Sequence, residues 1–193
     1  MKFFLLPLVF FLFYSNCSDL SKLQNNEIDF DSVDFSLIDL SNKEFDFIES
    51  IKSKELTVIF FGYSHCPDIC SNTLTEFSKA IEKLSYSQMK KTQFIFISVD
   101  TFADSNNRLI LFSKNFDPRI IFLRGTESKI EKIKKDFKLT VVLDIEKNID
   151  GSSKIIHSTN IFWLDKNKKK IKAFPHTMSG NEILREINKG ELK

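Results

Sequence analysis

The chain has 193 residues, 42% of them hydrophobic, enough to bury one ordinary core. Its 28 basic and 26 acidic residues leave a formal charge of +2, which gives no case for nucleic-acid binding. Glycine and proline are scarce, and the 21 phenylalanines read as core material.

The first residues form an address. Met1-Lys2 supplies a positive charge, and Phe3 to Tyr14 is an apolar run broken at Pro7. As a helix that run spans about 18 Å, short of a hydrocarbon core of about 30 Å, so residues 1–16 read as a secretory signal peptide. Tyr14-Ser15-Asn16-Cys17 stands where an exported bacterial lipoprotein is cleaved and acylated, in a relaxed form of that signal. Cys17 is therefore the candidate lipidation site, which places the mature protein outside the cytoplasm at a membrane. Residues 17–34 are polar and aperiodic, a tether. The folded domain is expected over residues 35–193.

Phe35–Leu40 reads as an early strand or hairpin arm, with Ser41-Asn42-Lys43 as its turn. Thr57–Tyr63 is a buried strand by its unbroken apolar character. The segment Gly62-Tyr63-Ser64-His65-Cys66-Pro67-Asp68-Ile69-Cys70 then places two thiols, three residues apart, where strand gives way to helix. If both lie in the first turn, their i, i+4 spacing puts the sulfurs on one face, and the free N–H groups of a helix start lower thiol pKa values. Paired thiols of that kind exchange disulfides or hold a soft metal.

Asn72–Leu84 is a helix with Leu74, Phe77, Ile81 and Leu84 on one side. Gln93–Val99 is a second strand ending at Asp100, Asn106–Phe116 a helix, Arg119–Leu123 a short strand, and Glu127–Phe137 a lysine-rich amphipathic helix. Lys154–Leu164 and Lys169–Phe174 read as a hairpin around a solvated lysine-rich turn. Ser179-Gly180-Asn181-Glu182 is a capping box opening a last helix, Asn181–Asn188. Alternating strands and helices closed by a hairpin and a helix predict one α/β domain with a mixed central sheet.

That order, with a dithiol after the first long strand, is the thioredoxin arrangement. The stretch Phe60–Cys70, Phe-Ile-Ser-Val-Asp at Phe96–Asp100 and His157-Ser158 together resemble the Sco/SenC family, over about Phe35 to the C-terminus. The resemblance implies a thioredoxin-like single domain with a mixed sheet flanked by helices. It implies copper as cofactor, held by Cys66, Cys70 and His157, and a role in metallating the dinuclear copper centre of cytochrome c oxidase. The implied partners are the copper-A subunit of the oxidase and a copper donor protein. Three positions depart from the family pattern: Ser71 and Thr101 replace prolines, and Ile156 replaces an aspartate before the histidine.

The donor types agree with that assignment. Two thiolates and an imidazole make a soft, low-coordinate set suited to Cu(I), whereas structural zinc usually takes four protein ligands. Asp68 and Asp100 are candidates to orient the ligands or a docking surface, although helix-start and strand-end roles need no metal. His65 reads as a surface histidine, His176 as a turn residue. A thiol–disulfide reductase acting on exported cysteine pairs is the alternative function, since a helical i, i+4 pair lies about 6 Å apart at Cα, within disulfide range. A thiol peroxidase ranks last, because Ile59 and Tyr63 stand where a peroxiredoxin has proline and threonine.

Overall fold

The computed structural model describes residues 36–147, 153–157, 159–166 and 170–189, and for 141–147, 153–157 and 170 the backbone alone. Six helices and nine strands follow in the order β1 (Ser36–Asp39), β2 (Glu44–Asp46), α1 (Phe47–Ser53), β3 (Leu56–Gly62), α2 (Ile69–Glu82), α3 (Tyr86–Lys91), β4 (Thr92–Ser98), α4 (Asn106–Ser113), β5 (Ile120–Arg124), α5 (Glu127–Asp136), β6 (Val141–Lys147), β7 (Ser153–His157), β8 (Ile161–Asp165), β9 (Lys170–Phe174) and α6 (Gly180–Asn188), counted among the described residues. Seven strands form one sheet in the order β2-β1-β5-β4-β3-β8-β9. The three central strands run parallel, and β8, β9, β1 and β2 pair antiparallel around them. The expected mixed sheet is present.

Helices cover both faces of that sheet, so β3 and β4 are buried at nearly every position rather than at alternate ones. On one face Val58, Phe60, Phe94, Phe96, Phe122 and Trp163 pack against Leu74, Phe77 and Ala80 of α2, Leu109 of α4 and Ile183 of α6. On the other, Ile59, Phe61, Ile95, Ile97, Phe162 and Leu164 pack against Phe47 and Ile51 of α1 and Ile130 and Ile133 of α5. The phenylalanines are core material as expected: Phe60, Phe77, Phe94, Phe96 and Phe122 form a chain of ring contacts with centroids 5.2–6.4 Å apart. Phe102, 98% exposed, is an exception.

The first strand is an arm as read, β1, and Asn42 (φ 60°) makes the turn into β2. The Asp39 carboxylate accepts from the N–H groups of Ser41 and Lys43 to hold it. The last helix is capped as read, with Ser179 and Glu182 exchanging hydrogen bonds. Two expectations need correction. Lys154–Leu164 is two strands, not one: β7 pairs with β6 in a separate two-stranded sheet, and β8 pairs with β3. The dithiol helix begins at Ile69, three residues before the expected start, so it includes Cys70.

Candidate metal centre

β3 stops at Gly62, and the chain leaves the sheet through Tyr63–Asp68 before α2 begins. Cys66 closes a turn there, its N–H donating to the Tyr63 carbonyl at 3.3 Å. Asp68 is the N-cap of α2, although its side chain accepts no capping hydrogen bond; both Pro67 and Asp68 are exposed. Cys66 therefore lies before the helix and Cys70 inside its first turn, which corrects the expectation that one helical turn holds both. The loop nonetheless brings the thiols together, since Cys70 is hydrogen-bonded to Cys66. Neither is in a disulfide, and Cys66 is at 9% exposure and Cys70 at 0%.

The expected lowering of thiol pKa at the helix start does not hold for Cys70. The hydrogen bond with Cys66 is the largest influence, burial the next, and together they hold the Cys70 proton well above the ordinary thiol range. Charge on Cys66 and the carboxylate of Asp104 act in the same direction, and a hydrogen bond with the Tyr63 backbone acts against them. Buried and protonated, the Cys70 thiol is a weak nucleophile, and its proton leaves most readily when a soft cation replaces it.

Asp104, four residues beyond Asp100 on the β4–α4 loop, fastens this region. Its side chain is fully buried and accepts from the Ser64 N–H at 2.9 Å, the Ser64 hydroxyl at 2.5 Å and the Ser98 hydroxyl at 2.6 Å. One carboxylate thus ties the end of β4 to the loop that carries Cys66. His65, expected on the surface, is wedged into the same region with its side chain 11% exposed. Its Nε2 lies 3.4 Å from Asp100 Oδ2, its Nδ1 3.7 Å from Asp104 Oδ1, and its ring meets Tyr63 edge-on at 4.7 Å. Asp100 is itself a loop fastener, accepting from the N–H groups of Phe102 and Ala103 at 3.0 and 2.8 Å. Of the two acidic candidates, Asp100 reaches the dithiol loop through His65, whereas Asp68 is an exposed helix cap. Sequence reasoning missed Asp104, Ser64 and Ser98; an aspartate just before the N-cap serine of α4 carries no signal of burial.

His157 is the last residue of β7, paired with Val141. β8 starts four residues later at Ile161, in register with Phe60 of β3. Because β8 runs antiparallel to β3, the chain entering β8 arrives at the end of the sheet from which Gly62 leads into the dithiol loop. Among the described residues no group of three or more His, Cys, Asp or Glu side chains is placed to hold a metal ion. No described helix is long and apolar enough to cross a membrane. Cys17 lies outside the described residues.

Two adjacent thiols are a fitting donor pair for a soft cation. The SCO1/SenC family model matches residues 23–190. An SCO2-like protein of Rickettsia prowazekii is 32% identical over 157 residues, covering 81% of this chain and 75% of that protein. The copper-bound structure of Bradyrhizobium japonicum ScoI superposes with a TM-score of 0.69 at 27% identity, covering 81% of this chain and 97% of that one. BsSco, a member of the Sco family of cytochrome c oxidase assembly proteins in which a disulfide switch has been identified, gives a TM-score of 0.60 at 22% identity, covering 81% of this chain and 90% of that one. That last likeness speaks for the fold alone, which is thioredoxin-like. The chain belongs to the SCO1/SenC family.

Proposed function

We propose that this protein is an exported copper-binding protein that delivers copper to the dinuclear copper site of cytochrome c oxidase, or prepares that site to receive it. The carrying observation is the pair of buried, hydrogen-bonded thiols of Cys66 and Cys70 beyond the end of β3. Cys66, Cys70 and His157 are the ligands; the backbone course from β7 into β8, which returns to that end of the sheet, supports His157 as the third. When bound, copper would replace the thiol protons and take an imidazole as an additional donor. The copper-bound state of the Bradyrhizobium japonicum relative supports the choice of metal. The short apolar N-terminal run and Cys17 support export and a lipid anchor at the membrane surface. An acylated Cys17 at the mature N-terminus, read by mass spectrometry, is the expected result; a cleaved protein with unmodified Cys17 would refute the anchor.

The second reading, reduction of the target's copper-binding cysteines, draws on the same pair, since neither is in a disulfide and Cys70 is hydrogen-bonded to Cys66. Deleting the gene and measuring oxidase activity with and without added copper separates the two. Activity that is lost and returns with excess copper supports delivery. Activity that returns with an added reductant but not with copper makes thiol reduction the main role. Intact oxidase in the deletion strain contradicts both.

A further inference from the structure

We infer that Gly62 is the positioning residue of the dithiol: the space where any other residue carries its Cβ is the space that the Cys70 sulfur occupies. A Cβ built on Gly62 falls 2.7 Å from Cys70 Sγ, 2.9 Å from Phe96 Cε2 and 3.3 Å from Phe60 Cε1. The first two distances are shorter than a carbon approaches sulfur or another carbon without displacement. The backbone of Gly62 lies outside the left-handed region, so the chain path itself does not require glycine there.

The surroundings determine which atom gives way. Gly62 is held in the β3–β4 ladder opposite Ser98, and its carbonyl accepts from the Val99 N–H at 2.8 Å. The rings of Phe60 and Phe96 are fully buried and pack on each other and on Phe77 and Phe122. Cys70 rests on a single rotatable bond, so its sulfur is the most easily moved of the three neighbours. A methyl group at position 62 therefore turns Cys70 Sγ out of its seat and away from the geometry it shares with Cys66. The absent side chain sets where one sulfur stands relative to the other.

The test combines Gly62→Ala with Cys70→Ala in a double-mutant cycle, and its copper arm rests on the proposed function. In urea unfolding, Gly62→Ala is expected to destabilise the protein that has Cys70 and to cost markedly less in the Cys70→Ala protein. In the copper arm, Gly62→Ala is expected to weaken Cu(I) binding about tenfold or more and to shift the Cu(II)–thiolate charge-transfer band. Equal stability losses in both backgrounds would assign the glycine to crowding against Phe96 and overturn the inference. Wild-type affinity and spectrum in Gly62→Ala would also overturn it. If Gly62→Ala alone fails to fold, folding of the double variant supports the sulfur's role and failure of both contradicts it. A parent protein that takes no copper would defeat the proposed function, and the stability cycle would then decide the role of Gly62.

Discussion

Removing the Asp104 carboxylate should loosen the dithiol loop without touching either cysteine. In Asp104→Ala three donors lose their acceptor: the Ser64 N–H, the Ser64 hydroxyl and the Ser98 hydroxyl. Hydrogen bonds to a charged acceptor contribute about 1.5–3 kcal/mol each, so the gross loss is about 4.5–9 kcal/mol. Two effects offset it. The Ser64 hydroxyl is only part-buried and can turn to water, and deleting a buried carboxylate removes its own desolvation cost of several kcal/mol. The net expectation is a loss of about 2–4 kcal/mol for Asp104→Ala. Asp104→Asn keeps one acceptor oxygen and should lose about 1–2 kcal/mol. With a denaturant slope of about 2 kcal/mol per M, the alanine variant should lower the urea midpoint by about 1–2 M at unchanged slope. The buried Trp163 provides the fluorescence signal. Alkylation of Cys66 should also accelerate, because the loop that shields it loses its anchor. A midpoint within about 0.25 M of the parent, with unchanged alkylation, would refute the assignment of Asp104 as the fastener.

Iodoacetamide should modify Cys66 well before Cys70 in the folded, reduced protein, because only Cys66 has measurable exposure and Cys70 holds its proton tightly; peptide mapping that finds Cys70 alkylated first would contradict the geometry. Gly180→Val should cost about 1–3 kcal/mol in urea unfolding. A Cβ there meets the Glu76 carbonyl oxygen at 2.8 Å and Lys79 Cβ at 2.9 Å, which forces α6 away from the helix that carries Cys70. The Glu76 carboxyl is held below its ordinary range, first by Lys79 and also by the Gly180 N–H. Its contribution is thus present above the usual carboxylate range and lost as pH falls through the lowered value, so Glu76→Gln should narrow the stability difference between about pH 7 and about pH 3.

Most of the sheet was legible because the central strands are buried on both faces. Thr57–Tyr63 and Gln93–Val99 are apolar at nearly every position, and the structure places β3 and β4 within one residue of those bounds. The helices α1 and α3 were missed for a different reason: at seven and six residues they are too short for periodicity to show. Their caps were present in the letters, Asp46 before one and a Ser85–Gln88 capping box before the other. Lys154–Leu164 runs two strands together because the polar break between them, Ser158-Thr159-Asn160, is only three residues long. β6 was overlooked because charged residues at Asp144 and Glu146 break its apolar run.

The site divides in the same way. Cys66 and Cys70 were readable from spacing alone, because a dithiol between an apolar strand and an amphipathic helix has few structural explanations. What surrounds them was not. Asp104 and His65 are polar residues in loops, and their burial follows from how β4 and the dithiol loop come together, a long-range consequence that no local pattern records. The role of Gly62 was hidden similarly, since a glycine ending a strand looks like a turn residue until the sulfur beside it is seen.

Anaerobic copper titration of the reduced protein, with ligand spectroscopy on the parent and on Cys66→Ala, Cys70→Ala and His157→Ala, tests the central claim most directly. The expected result is one copper ion per chain, with tight Cu(I) binding abolished by either cysteine substitution, because one thiolate and an imidazole leave a weak site. His157→Ala should chiefly destabilise the Cu(II) form, since two thiolates still hold Cu(I). Full-strength binding of both copper states by His157→Ala would contradict the three-ligand site, and tight Cu(I) binding that survives loss of Cys66 or Cys70 would contradict the dithiol as its centre.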